Sequence, residues 1–443
     1  MRASRLATVT LSLMLVAGLA LAWLTRDMPL VPVRGGTLLR ADALSALLLI
    51  VAAAQALAGL ALGVPRPWLV TLRAALVGLA AVSGHLAAIG GVLLVAGLVP
   101  GATAGPAAGR LRGWVTAPWL APLLATSGLA LIGLIGGEWH YAAPAAGSGL
   151  NSLSFGLLLF AALLALGVVA LPGAQPPAGE PLIAAGCLYA LLRLFSLGPW
   201  NPGWLLATLL VGGVTALWAA GRAVAVPPAR AAPWLGLALG GLVLAGAGLG
   251  SGAGLTAAGY VLLLGPVLRL GLERPADGCR ALWLLSAAVP LSGPFVAGWL
   301  AVAAAAAGGV SVLAVALWLA ALLAALPPAR LARAAATPEA GMLSAEVWSA
   351  GRRAWLAAGL SATLGLGAPL VLLGLLGPLV AQLQGGLTPF GEIVLWPWAG
   401  LIARNAGQQP VATLPSLALA GLMLILTALC WLALRLVALR REG

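Results

Sequence analysis

Runs of about 20 apolar residues recur along the whole chain, and each is long enough to cross the roughly 30 Å hydrocarbon core of a bilayer as an α-helix. Only helices and closed barrels can satisfy their backbone in lipid, so this pattern restricts the fold to a polytopic helical bundle. Apolar spans fall at 7–25, 42–63, 69–84, 86–102, 116–136, 152–172, 181–198, 204–221, 234–251, 254–272, 281–304, 308–326, 355–379 and 413–438, fourteen in all. Only 7% of the residues are charged, against about 25% in a soluble domain. No stretch is long and polar enough for a separate soluble unit. The expectation is therefore one membrane domain over 1–443, with 1–41 as an N-terminal helix and loop, 42–326 as its core, and 327–443 as C-terminal helices and loops. Arg2 and Arg5 with Ala20-Leu21-Ala22 imitate a secretory signal. The first apolar run is long for one, and a further span follows soon after, which favours an uncleaved helix.

The net charge of +13 does not point to nucleic acid, because the arginines are scattered over inter-helix loops instead of lining one face. All 23 basic residues are arginine. Eighteen fall on one side of the expected topology and five (Arg26, Arg34, Arg40, Arg193 and Arg404) on the other. The positive-inside rule then places both termini in the cytoplasm and the chain in the inner, cytoplasmic membrane. Merging the two helices around Gly84-His85 would invert the downstream half and still leave a large bias, so charge does not decide that hairpin. Length does, since Leu69 to Gly101 exceeds one ordinary span. Cys187, Cys279 and Cys430 show neither a disulfide framework nor metal-ligand spacing. Glu138 and His140 form a lone pair within an aromatic cluster, poor grounds for a metal site. Trp396 and Trp398 give 380–412 the look of an interfacial segment. Gly236 with Gly240, and Gly248 with Gly252, have the small-xxx-small spacing that lets helix backbones approach.

Two spans carry helix breakers. Pro290-Leu291-Ser292-Gly293-Pro294 interrupts the span at 281–304, and Pro172-Gly173 ends the one at 152–172. Prolines free backbone groups from the helical ladder, and in lipid these must find partners inside the bundle. Transporters use such breaks to build ion pathways, and a Pro kink can equally serve packing alone. Ionisable groups within spans are scarce, and no Asp or Glu lies mid-span. Arg269 and Glu273 stand four apart, the spacing of a helical ion pair. Arg193 is expected to snorkel at the end of its span, Asp42 to serve a helix start, and Gln55 is the one strongly polar neutral side chain near mid-span. Polar anchors for an internal water file are limited to Thr256, Tyr260, Ser286, Ser292 and Arg269. The proton-path candidates are accordingly Arg269, Glu273, Tyr260 and Ser292, and the broken-helix positions Pro172, Gly173, Pro290, Gly293 and Pro294. No catalytic or metal-binding residue is expected.

The order of several short motifs resembles the antiporter-like membrane subunits of respiratory complex I (NADH-quinone oxidoreductase), a family shared with Mrp-type cation/proton antiporters and membrane-bound hydrogenases. Leu39 to Leu47 resembles its Asp-x-Leu-Ser helix start, Gly173 to Pro177 its Ser-Ala-Gln-x-Pro stretch, and Tyr189 to Arg193 its Tyr-x-Leu-Leu-Arg run. Arg230 to Trp234, Gly254 to Ala258 and Arg269 hold the places of later motifs, and Pro290 to Gly293 followed by Phe295 is similar to the family's Pro-Leu-Ser-Gly-Phe break. The resemblance implies about fourteen helices with two inverted repeats containing broken helices, and other membrane subunits of a respiratory or hydrogenase-like complex as partners. One family helix ahead of Ala7 has no counterpart here.

The departures bear on function. Where the family places a glutamate, Gly90 to Leu94 is apolar, and its relay lysines and histidines fall at Pro172, Ala184 or Ala185, Gly265, Arg269, and Ala297 or Gly298. A family loop is deleted between Gln175 and Glu180. Arginine cannot readily release its proton, so it can set a field but cannot pass a proton on. The chain has no flavin, nicotinamide, haem or iron–sulfur ligand pattern, hence no expected cofactor, and it is at most a non-redox membrane subunit. The expected function is a subunit of an energy-converting complex associated with proton or cation translocation, with a degenerate path of its own. The alternatives are a structural or docking subunit without transport, or an unrelated small-molecule transporter.

Overall fold

In the computed structural model the described residues are 2–26, 39–99, 119–136, 139, 149–168, 180–197, 202–273, 279–333, 345–383, 392–396, 401–404, 410–412, 425 and 429. The expected span at 413–438 (all but 425 and 429), the Glu138/His140 pair, Trp398 and the Pro172-Gly173 break lie outside them. The helices are α1 (Arg2–Leu24), α2 (Ala43–Ala61), α3 (Pro67–Val82), α4 (Leu86–Leu98), α5 (Leu120–Gly136), α6 (Gly149–Leu166), α7 (Pro181–Arg193), α8 (Pro202–Ala225), α9 (Ala232–Gly248) and α10 (Gly252–Leu272). After a 3₁₀ turn at Arg280–Leu285 come α11 (Gly293–Ala307), α12 (Ser311–Arg333), α13 (Ala345–Leu366), α14 (Ala368–Val371), a π-turn at Leu372–Leu376, and α15 (Gly377–Leu383). The chain is a multi-pass helical membrane protein. Among the described residues, five helices are individually long and apolar enough to cross a bilayer: α1, α2, α8, α10 and α12. Shorter apolar helices pack among them.

Local chemistry accounts for the ends. Asp42 caps α2, its carboxylate accepting from the Ser45 N–H at 2.9 Å. Ser251 caps α10, accepting from the Gly254 N–H at 3.1 Å. Gly250 turns the chain between α9 and α10 at φ 59°, a left-handed conformation that glycine adopts without a Cβ penalty. The hairpin at Gly84-His85 is confirmed as two helices, α3 and α4. His85 stacks on Trp139 with centroids 5.5 Å apart and planes 4° from parallel, and the Trp139 carbonyl accepts from the Leu86 N–H at 2.8 Å.

Three expectations need correction. The span at 152–172 ends earlier, at Leu166, where Gly167 adopts φ 81° and its N–H bonds back to the Leu164 carbonyl. The span at 355–379 is not straight. It bends by 71° at Gly367, whose N–H bonds the Thr363 carbonyl before Pro369 restarts the helix. Gly236 and Gly240 do not bring backbones together: a Cβ on Gly236 would meet nothing within 4 Å, and Gly240 faces the Leu166 side chain. The close crossing is instead α8 on α9, where a Cβ on Gly241 would sit 2.5 Å from the Ala216 nitrogen and Gly248 lies against the Leu209 backbone. Small residues at these points let the two helices touch main chain to main chain.

Within the segment read as interfacial, three strands form an antiparallel sheet: β1 (Glu392–Trp396), β2 (Leu401–Arg404) and β3 (Pro410–Ala412).

Candidate functional site

The break ahead of α11 is real, and its freed backbone groups are met by serines. From Ser286 to Ser292 the chain is a run of turns. The Ser286 hydroxyl donates to the Ala325 carbonyl at 2.8 Å, and the Ser292 hydroxyl donates to the Ser286 carbonyl at 2.9 Å while accepting from the Phe295 N–H at 3.2 Å. Ser361 on α13 completes the set, accepting from the Gly293 N–H at 3.2 Å and donating to the Leu284 carbonyl at 2.5 Å. All three serines are fully buried. Gly365 lets α13 come this close, since a Cβ there would collide with the Leu291 carbonyl. Pro290 lies in the turns and Pro294 begins α11, where its missing N–H is an orphan in any helix. Ser361 was not singled out from sequence, and nothing in its spacing marks it.

Away from this break, α2, α7, α9 and α10 line a cavity of about 290 Å³. It opens where α2 and α10 end and α7 and α9 begin. Glu180, Arg269 and Glu273 stand around that mouth, and Gln55 lines the wall one turn in from Gly59. Arg269 and Glu273 make the pair expected from their spacing, Nε to Oε2 at 2.7 Å, with side chains 19% and 41% exposed. An Arg269 guanidinium nitrogen also reaches the Gln55 backbone carbonyl at 3.4 Å. Glu180 pairs with Arg73, whose Nε donates to the Ala96 carbonyl at 3.1 Å and which also reaches the Val99 carbonyl. Arg73 falls within the expected span at 69–84 and enters the sequence reading only through the count of arginines on each side of the membrane. In the fold it is buried, because the end of α4 and the start of α7 close over it.

At the opposite end of α2, Arg193 does not snorkel. It is 1% exposed and grips Asp42 with both terminal nitrogens, the Nη2–Oδ1 bond measuring 3.0 Å. The same nitrogen reaches the Ser45 hydroxyl at 3.2 Å and the Tyr189 hydroxyl at 2.8 Å, and Tyr189 in turn donates to the Ala81 carbonyl at 2.9 Å. Gln382 adds a further tie, accepting from the Ala43 N–H at 2.8 Å and donating to the Thr25 carbonyl at 2.9 Å. The sequence held one clue to this knot, since Asp42, Ser45, Tyr189 and Arg193 all belong to motifs of the resemblance, but spacing alone could not pair residues 151 apart.

Between the cavity and the knot lies a void of about 10 Å³ lined by Leu44, Leu48, Val51 and Leu262 among others, no larger than one water. The remaining predicted residues fall apart from the cavity. Tyr260 donates its hydroxyl to the Leu364 carbonyl at 2.9 Å, Thr256 bonds the Gly252 carbonyl at 2.8 Å, and Ser292 serves the break. Thus Arg269 and Glu273 are brought together at one site, with Tyr260 and Ser292 elsewhere. Among the described residues, no three His, Cys, Asp or Glu side chains gather closely enough to hold a metal ion.

No protein-family model matches the chain, and no curated protein matches its sequence. Solved structures do. A chain of the Mrp complex from Dietzia sp. DQ12-45-1b superposes with a TM-score of 0.68 at 20% identity, covering 87% of this chain and 93% of that one. A chain of the membrane-bound sulfane sulfur reductase, an archaeal respiratory membrane complex, gives 0.68 at 14% identity over 86% and 92%. A chain of respiratory complex I from Thermus thermophilus gives 0.62 at 22% identity over 83% and 92%. The protein therefore has the fold of the antiporter-like subunits of multi-subunit membrane complexes.

Proposed function

We propose that this chain is a membrane subunit of a complex I-like or hydrogenase-like energy-converting assembly whose own interior does not conduct protons. In this reading its partners are other membrane subunits in the inner membrane, where it forms one domain with 42–326 as the antiporter-like core. Both termini face the cytoplasm. The chain makes fourteen crossings, counting the short helices and the span at 413–438, and the break at Pro290–Pro294 has an inverted-repeat counterpart at the end of α6 near Pro172-Gly173.

One observation carries the proposal. Among the described side chains, all three carboxylates (Asp42, Glu180 and Glu273) are held by arginines. A relay passes protons between groups that both titrate, and arginine does not. The hydroxyls point the same way: Tyr260, Thr256, Ser286 and Ser292 spend their donors on backbone carbonyls, leaving none to anchor a file of water. A void of about 30 Å³ between Leu264, Leu285, Pro294 and Gly298 is walled almost wholly by carbon, and such voids stay dry.

The test is proton flux through the assembly reconstituted in liposomes. Arg269→Ala is expected to leave flux unchanged per assembled complex while lowering the yield or stability of the assembly. Loss of flux with the complex intact would put Arg269 and Glu273 on a working pathway and end the proposal. Purification as a stable monomer that transports a solute by itself would favour an independent transporter instead.

A further inference from the structure

The cavity between α2, α7, α9 and α10 contains an unpaired group. Gln55 is only 7% exposed, lines the cavity, and its Oε1 has no hydrogen-bond partner. Leaving a buried amide oxygen unmet costs about 1–3 kcal/mol, so whatever occupies the cavity is expected to meet it. Water alone fits poorly, because beyond Gln55 the walls are aliphatic (Val51, Leu188, Leu239 and Val243), and apolar recesses tend to stay empty. The occupant needs an apolar body for the depth and a polar portion at the level of Gln55.

The mouth specifies the head. Arg269 and Glu273 face it as a partly exposed pair, and Glu180, 23% exposed, stands across from them with its own partner Arg73. Arg269, Glu273 and Glu180 line the rim and Arg73 lies buried behind Glu180, so the charges sum to zero with both signs present at the opening. An anionic head would meet two carboxylates, and a cationic head would meet the Arg269 guanidinium. A zwitterionic head satisfies both signs. The volume of about 290 Å³ lies near the bottom of the roughly 300–1,000 Å³ range of ligand pockets, enough for one chain and not two.

We propose that this cavity binds one alkyl chain of a zwitterionic phospholipid, with its phosphate at Arg269, its ammonium at Glu180 and Glu273, and its glycerol level at Gln55. The polarity runs in the same direction as that of a lipid leaflet, with the head at the end of the bundle and the tail toward its middle. A free lysophospholipid and one chain of a membrane diacyl lipid share this chemistry. The first would donate its glycerol hydroxyl to the Gln55 oxygen, and the second, which has no hydroxyl there, would meet that oxygen through a water held between it and an ester carbonyl. The site is independent of whether the chain conducts protons.

The full chain, purified in mild detergent, is titrated with lysophosphatidylethanolamine, diacyl phosphatidylethanolamine, dodecyl phosphate and dodecylamine, and retention is read by native mass spectrometry. One zwitterionic lipid per chain should be retained, and the anionic and cationic amphiphiles should be held at least about tenfold more weakly, the factor one charge-assisted hydrogen bond supplies. Retention of the lyso form alone names a free lysolipid as the source, and retention of both forms names the bilayer. The decisive variant is Gly236→Leu. Its Cβ would meet nothing within 4 Å and Gly236 lines the cavity, so the side chain is directed into the void, and leucine is a better helix former than glycine. It should fold and lose the lipid, and Gln55→Leu should weaken retention about tenfold. Equal retention by Gly236→Leu, equal retention of all three head types, or no retained lipid in the native chain would each overturn the proposal, the last leaving a water-filled recess.

Discussion

Asp42 and Arg193 lie buried at one end of α2 and join it to α7 through two parallel hydrogen bonds. Removing one member strands the other. Arg193→Met keeps the apolar stem but leaves the Asp42 carboxylate with only the Ser45 N–H and hydroxyl, both at 2.9 Å. Breaking a buried pair in this way costs about 3–5 kcal/mol. Asp42→Asn strands the guanidinium at a similar cost, although the side-chain oxygen of Asn still caps α2 and spares the roughly 1 kcal/mol of a lost N-cap. The double variant Asp42→Asn/Arg193→Met leaves no unpaired charge, so its loss should be well below the sum of the singles, with a coupling of about 3 kcal/mol. Equilibrium unfolding in mixed micelles, followed by tryptophan fluorescence, measures all four species. Single losses under about 1 kcal/mol, the value of an exposed pair, would mean that water reaches Arg193 and that the knot is not a seal. Additive losses would show that the two residues do not act as a pair.

Ser361→Ala removes a donor and an acceptor at once from the break before α11, and the same unfolding titration should register a loss of about 2–4 kcal/mol, two unmet backbone groups at the lower range for each. Gly241→Leu should separate α8 from α9 and lower the melting temperature sharply, whereas Gly236→Leu on the same helix should not, a contrast that differential scanning fluorimetry reads directly. Arg73→Met leaves Glu180 without its partner at the cavity mouth, and zwitterionic lipid retention should then shift toward cationic amphiphiles in native mass spectra.

What the sequence made legible followed from periodicity and from breakers. The helical class, most helix boundaries, the Gly84-His85 hairpin and the break at Pro290–Pro294 could be read because apolar run length and proline chemistry act locally. The Arg269–Glu273 pair was legible for the same reason, being one helical turn apart. The remaining features depend on which helices are neighbours. Asp42 with Arg193, Arg73 with Glu180, and Ser361 with Leu284 join residues from 77 to 151 positions apart where the separation is fixed by hydrogen bonds. Nothing in local composition distinguishes a buried arginine with a partner from a snorkelling one. Glycine was misread likewise: four-residue spacing marks Gly236 and Gly240 as a packing pair, yet only the fold shows that open space faces the first and a leucine side chain the second.

The distribution of charge across the bundle gives the resemblance and the departures from it a common physical sense. In lipid an ionised side chain is tolerated where a partner or the interface compensates it. Here each described carboxylate meets that condition at a helix end, Asp42 at the start of α2, Glu180 at the start of α7 and Glu273 at the end of α10. Each is matched to an arginine, which holds its charge at any pH a cell reaches. Pairs of this kind tie helices together at their rims, joining α2 to α7 and α3 to α7, and α7 takes part in both ties across helices. Between those ends the core is mostly Ala and Leu, and the buried hydroxyls of Thr256, Tyr260, Ser292 and Ser361 are spent on backbone carbonyls. Among the described side chains the bundle is therefore held by charge at its edges, each carboxylate gripped by an arginine from the same helix or a neighbouring one.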